Sequence, residues 1–254
     1  AQEIAAAAIG LVCVPLLGPG PLQGVLVVRT RAGAPCSAET TGLLQRTVDF
    51  QQLHAAAGLA DMPKIFVCAT NVRTGQGEIF TAQRISTDAI MASACLPQLY
   101  KAVEVEGEYY WDGGFSGNPA LYPLIYQTAC ADMLLVQINP VQQATLPSTA
   151  AEIAERVNEV TFNASLLGEL RAIDFVRRLL AEGKLDPKRY KNVLLHRIDG
   201  GAALSELGAT SKARSDLSFI LRLFEQGRVQ GQRWVHTHFG DIGVRQTLQI
   251  VDHC

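Results

Sequence analysis

Charge is scarce in this sequence, and neither sign dominates. Charged residues make up 18% and the net charge is -2. There is therefore no basic surface with which to grip nucleic acid, and no run of like charges suggests an interaction tail. Cysteine is sparse and scattered. Cys13, Cys36, Cys68, Cys95, Cys130 and Cys254 form no C-x-x-C pair, and no His stands at zinc-finger spacing from them. That leaves no basis for a metal site, and the thiols read as mostly buried and free in a reducing compartment. Long apolar runs are missing too. The longest, Ile4 to Leu17, is broken by Gly10 and Pro15 and is too short to span a bilayer. It also lacks the basic start of a signal peptide. The expected setting is the cytoplasm. Peripheral membrane contact stays open, although no strongly amphipathic basic helix argues for it. The first residue is not Met, so an upstream signal stays open as well.

What is present is a well-buried globular chain. Hydrophobic residues are 48% of 254, and a fold of this size buries roughly three quarters of the surface its unfolded chain exposes. No linker separates two clear domains, so a single domain over residues 1–254 is expected. The first 40 residues differ from the rest: A-A-A-A, G-P-G-P and V-L-V-V follow one another before any period is established.

From Val48 the pattern sharpens. Lys64 to Val72 reads as a buried strand, Arg73 to Gly77 as a turn and Glu78 to Phe80 as the returning strand. Ser86 to Pro97 reads as a helix with Ser86 as its N-cap and Pro97 as its stop. Ala102 to Val105 and Glu108 to Trp111 make a second hairpin about Glu106-Gly107. Asn118-Pro119 reads as a helix start, and Ala131 to Pro140 as a buried strand. Ser148 to Leu185 reads as one or two helices with an apolar face of Ile153, Val157, Val160, Leu167, Leu170, Ile173 and Phe175. A strand at Val193 to Ile198 follows, then a helix over Lys212 to Phe239 interrupted near Gly227 to Gly231. Strands alternating with helices predict an α/β fold, a central mixed sheet covered by helices on both faces.

The most informative stretch is G-E-Y-Y-W-D-G-G-F-S-G-N-P, residues 107 to 119. Open α/β sheets place reactive groups at strand ends facing a crevice, which is where Asp112 falls. Gly113 and Gly114 permit a sharp turn, with positive φ if required, and leave room for a ligand or another chain segment. D-G is also among the commonest turn dipeptides, so an ordinary turn acid is the competing reading.

Several blocks occur together: V-C-A-T-N-V-R-T-G (Val67 to Gly75), A-S-A-C-L-P (Ala92 to Pro97) and Y-W-D-G-G-F-S-G-N-P-A-L (Tyr110 to Leu121). Later come L-H-R-I (Leu195 to Ile198), L-G-A-T-S-K (Leu207 to Lys212) and H-F-G-D-I-G-V-R (His238 to Arg245). From about Val48 to the C-terminus this ordered set resembles the bacterial branch of the patatin-like phospholipases. The resemblance implies hydrolysis of lipid acyl esters by a Ser-Asp dyad, with Asp112 as the base and no cofactor or metal. Ser93, Trp111 and Asn118 become candidates to line the site, and the expected partner is a lipid or ester substrate. Oligomeric state is open.

The sequence departs from that family in one respect. It contains no G-x-S-x-G elbow and no glycine-rich oxyanion loop. Both belong upstream of Val48, so the expectation is that the chain starts after them or that residues 1–40 replace them. A non-catalytic lipid- or partner-binding relative is the alternative. Ser116 stands close to Asp112 but reads as a turn or cap hydroxyl. His196 reads as a satisfied core histidine, and His236 and His238 as strand or surface residues. Tyr109, Tyr110 and Trp111 fit an acyl-binding wall or ordinary cross-strand packing equally. For Met91, Leu96, Leu99 and Tyr100, core packing is the stronger reading.

Overall fold

The computed structural model describes residues 38–249, apart from short breaks at 60–61, 98–99, 139–140, 144–145, 201–203, 205–206 and 208–215. The readings made for residues 1–37, Leu99, Pro140 and Lys212 to Ser215 lie outside the described residues. The chain divides into two compact units, which meet between Ala120 and Leu121.

In the first unit, helices α1 (Ala38–Thr47) and α2 (Phe50–Ala56) precede four strands: β1 (Phe66–Asn71), β2 (Gly77–Thr81), β3 (Val103–Val105) and β4 (Glu108–Asp112). They form one antiparallel sheet in the order β2-β1-β4-β3. Both hairpins stand where the sequence puts them. The β3–β4 connection is Glu106-Gly107, with φ of 54° and 82°. Positive φ at both central residues is what a two-residue hairpin needs to match strand twist. Glu106 accepts this conformation while its carboxylate pairs with Arg84, which also holds Glu78.

Helix α3 (Thr87–Ser93) lies between the hairpins in sequence and packs on β1, β3 and β4. Ser86 caps it, accepting from the amide of Ala89 at 3.1 Å. The helix stops at Ser93, ahead of Pro97: Ala94 is its C-cap, and the chain leaves through a tight turn that carries Cys95. Its buried face joins Val67, Ala69, Phe80, Val105 and Tyr110 in the core. Tyr110 meets Phe80 edge-on at 5.3 Å, so this ring is a packing residue. Tyr109 is exposed and donates to Glu104.

The second unit holds α4 (Tyr122–Gln127), β5 (Asp132–Gln137), α5 (Ala150–Ala181), β6 (Leu194–Asp199) and α6 (Leu217–His238). Strands β5 and β6 pair in parallel. Antiparallel and parallel pairing are therefore both present, in separate sheets among the described residues, and the mixed α/β class holds.

Three sequence expectations change here. Asn118-Pro119 is a cis turn, not a helix start; α4 begins four residues on from Asn118, and the proline in its first turn is Pro123. Residues 150–181 form a single helix, within the one or two expected, but the face it buries is not the expected one. A capping box of Thr149 and Glu152 opens it. At its far end Gly183, at φ 69°, accepts the left-handed bend, and the amides of Gly183 and Lys184 return to the carbonyls of Leu180 and Leu179. Its buried stripe runs through Phe162, Leu166, Leu170 and Ile173, while Ile153, Val157, Val160 and Phe175 point outward. Helix α6 runs unbroken through Gly227 and Gly231. A glycine inside a helix costs only about 1 kcal/mol against alanine, and the tertiary contacts of Phe219 and Trp234 outweigh that.

His196 on β6 is a satisfied core histidine, fully buried. Its Nε2 lies 3.0 Å from Asp132 Oδ1 and its Nδ1 3.1 Å from Thr247 Oγ1. Asp132 also accepts from the amide of Gly243 at 2.8 Å. The cluster pins the chain after α6 to the β5–β6 pair. His236 and His238 lie on the last turn of α6, not on a strand, and His238 pairs with Asp241. Asp132→Ala strips a buried pair of one member, an injury that costs about 3–5 kcal/mol. Urea denaturation is expected to report a loss of that size, with Asp132→Asn, which keeps an acceptor, losing less.

Candidate active site

Asp112 closes β4, directly opposite Ala69 on β1. Its position is over-determined by backbone. Its amide donates to the Cys95 carbonyl at 2.8 Å, tying it to the turn after α3. Its carbonyl accepts from the Thr70 hydroxyl at 2.8 Å. A short 3₁₀ turn, Gly113–Phe115, then begins, and the Asp112 carboxylate caps it: Oδ1 accepts from the Gly114 amide at 2.7 Å.

The side chain is 2% exposed. Oδ2 is buried without a hydrogen-bond partner among the described residues. Burial pushes the carboxyl up to about 7, against the opposing pull of the Gly114 amide. No charged side chain takes part in that shift. One oxygen is thus fixed and the other is buried without a partner among the described residues.

The two glycines serve different purposes from those the sequence suggests. Neither adopts positive φ. Gly113 is required by proximity: a Cβ there would lie 2.2 Å from the Cys68 carbonyl oxygen and 2.6 Å from its carbon. The chain segment for which it leaves room is β1 itself.

Ser116 follows the turn. Its hydroxyl lies 2.8 Å from Thr70 Oγ1 and 3.3 Å from the Gly113 carbonyl. A hydroxyl has one proton to give. Thr70 spends its proton on the Asp112 carbonyl, so Ser116 donates to Thr70. The Ser116 hydroxyl therefore ties the turn to Thr70 of β1. Cys68 Sγ borders the same cluster at 3.9 Å from Ser116 Oγ. Cys130 is a free thiol.

Of the remaining candidates, Ser93 is buried at the end of α3, a helix that packs on β4 and on the turn after Asp112. Trp111 precedes Asp112 on β4, half-buried and opposite Thr70. Asn118 sits half-buried in the cis turn. Met91 lines a groove of about 350 Å³ with Thr41, Asp88, Lys101 and Glu104, and Asp112 is not part of its wall. No group of three or more His, Cys, Asp or Glu side chains among the described residues is placed to hold a metal, and no described helix is long and apolar enough to cross a membrane.

Sequence reasoning missed Thr70, whose signal was a hydroxyl at a buried position of β1. It also missed Glu169 of the second unit. This half-buried carboxylate accepts from the Leu121 amide at 2.8 Å and is pushed up to about 7 by burial.

The first unit thus holds a buried, partly unpartnered acid at the end of a strand in an antiparallel sheet. Residues 29–125 match the family model of patatin-like phospholipases. Over that stretch, less than half of the 254 residues, the chain is similar to the patatin-like phospholipases. The matched residues hold Asp112 and every hydroxyl around it. They begin within the first 40 residues and end before the blocks at Leu195, Leu207 and His238. No curated protein matches the chain.

Proposed function

We propose that the chain is a lipid acyl hydrolase in which Asp112 acts as the general base of a Ser-Asp dyad. The observation that carries this reading is the carboxyl itself. It is dry, held by one amide, unpartnered at Oδ2 among the described residues and pushed up to about 7 by burial. A base works best when its pKa lies near the working pH, and an ordinary aspartate at about 4 is poorly matched to that task. Oδ2 takes the hydroxyl proton as the serine oxygen attacks the ester carbonyl. The same oxygen returns that proton to the leaving alcohol. Water then repeats the cycle on the acyl-enzyme. The serine comes from another stretch of polypeptide, since no G-x-S-x-G occurs in these 254 residues.

That absence favours a second reading, a lipid- or partner-binding relative that does not turn over. Hydrolysis of a p-nitrophenyl acyl ester across pH, by a polypeptide that includes the stretch upstream of these residues, separates the two. The dyad requires the ionised base, so kcat/KM is expected to rise with pH and level off above about 7. A folded protein with no hydrolysis at any pH supports the binding reading.

A further inference from the structure

We propose that Thr70 and Ser116 form a hydroxyl clamp whose task is to hold Asp112 in its dry, half-partnered geometry, making Thr70 a positioning residue for the site. This rests on the dyad reading for its purpose, but the clamp is testable without any catalytic assay.

The hydrogen bonds run in one direction. Ser116 donates to Thr70, and Thr70 donates to the Asp112 carbonyl. Thr70 is itself 6% exposed, and a buried hydroxyl is an expensive way to fill space unless its bonds are used. A valine would fill the same strand position with nearly the same shape and with higher strand propensity. The hydroxyl at position 70 therefore answers to the carbonyl it holds. That carbonyl belongs to the residue whose carboxyl bends back to the Gly114 amide two residues on. A carboxyl turned onto its own backbone keeps its orientation only while that backbone is fixed. The amide of Asp112 is held by Cys95 and the carbonyl by Thr70; without the second anchor, the peptide between Asp112 and Gly113 can rotate. The turn then opens, and water reaches the carboxyl.

On β1 the Cys68 thiol borders the turn, 3.9 Å from Ser116 Oγ, and the charged groups of the neighbouring elements face away. On β4 Glu108 pairs with Arg73, on β3 Glu104 accepts from Tyr109, and on α3 Asp88 is exposed. The pH response of Asp112 thus reports its own hydration.

The test is urea denaturation of the full chain at pH about 4.5 and about 7.5, an interval over which a raised native carboxyl makes stability fall as pH rises. Asp112→Asn defines the part of that fall due to Asp112; the rest includes Glu169. Thr70→Val is expected to remove at least half of the Asp112 part of the midpoint shift, Ser116→Ala less, and Thr70→Ser is expected to restore it. If Thr70→Val and Ser116→Ala lower the midpoint equally at both pH values, the hydroxyls are merely structural and the clamp is overturned. Should Thr70→Val fail to fold, Ser116→Ala decides by the same criterion. If Asp112→Asn itself leaves the wild-type shift intact, the buried-base reading of Asp112 fails, a result distinct from failure of the clamp alone.

Discussion

Asp112→Asn is expected to lower kcat/KM for an acyl ester by about 10²–10⁴-fold, the usual contribution of a general base, while making the folded protein more stable above neutral pH. The two effects have one cause. The carboxyl is raised from the ordinary range of about 4 to about 7 in the folded state. Between those values the native state holds a proton that the unfolded chain has released. Stability is therefore greatest below the unfolded value and falls as pH rises through the folded one. With one pKa unit equal to about 1.36 kcal/mol, the full cost of ionising this group in place is roughly 4 kcal/mol.

Asparagine resembles the protonated acid. Its oxygen can still accept from Gly114, and its NH₂ replaces the buried, unpartnered Oδ2. Leaving that donor unsatisfied costs about 1–3 kcal/mol, so the net gain at alkaline pH is about 1–3 kcal/mol. An active-site residue whose removal stabilises the fold is what a site strained for function produces. An ordinary turn aspartate would show the reverse: no loss of activity and a small loss of stability.

Gly113→Ala is expected to be the most damaging small substitution in the first unit. The added carbon would sit 2.2 Å from the Cys68 carbonyl oxygen, and both clashing atoms belong to backbone. No rotamer relieves that, so β1 and the turn must separate, at a cost of about 3 kcal/mol or more. Gly107→Ala makes the control. There φ is +82° but nothing lies within 4 Å of the new carbon, and the left-handed conformation alone costs about 1–2 kcal/mol. Urea midpoints are expected to rank wild type, Gly107→Ala and Gly113→Ala in that order. Activity should fall steeply in Gly113→Ala alone, because the displaced peptide adjoins Asp112. Equal effects of the two substitutions would mean that glycine is needed at 113 only for flexibility.

Much of the first unit was legible in the sequence. β-branched and aromatic runs separated by R-T-G-Q-G and E-G specify hairpins through local turn chemistry, and Ser86 announces its helix through a cap that it does form. Asp112 could be singled out because an acid ending an apolar strand breaks the local pattern. The reason for Gly113 was not legible: the carbonyl it must admit lies 45 residues away in sequence. Thr70 stayed hidden for the same cause, since its partner's oxygen belongs to another strand.

The helix misreadings have a different origin. Pro at a first helical turn and Pro in a cis turn look alike in N-P-A-L-Y-P, and only the paired backbone distinguishes Pro123 from Pro119. In α5 both a stripe through Ile153, Val157 and Val160 and one through Phe162, Leu166 and Leu170 satisfy a helical period. The second is the buried one, and a helix cannot declare which of two apolar faces it will cover.

The most direct test of the central claim is a fluorophosphonate probe followed by peptide mapping, applied to a polypeptide that includes the serine-bearing stretch and to its Asp112→Asn variant at pH about 8, where the native carboxyl is ionised. The dyad predicts one labelled serine, attached at a rate that falls at least about 100-fold in the folded variant. Labelling at equal rates in both proteins would mean that Asp112 activates no nucleophile, and a folded wild-type protein with its serine-bearing stretch that takes up no probe at all would contradict the hydrolase account.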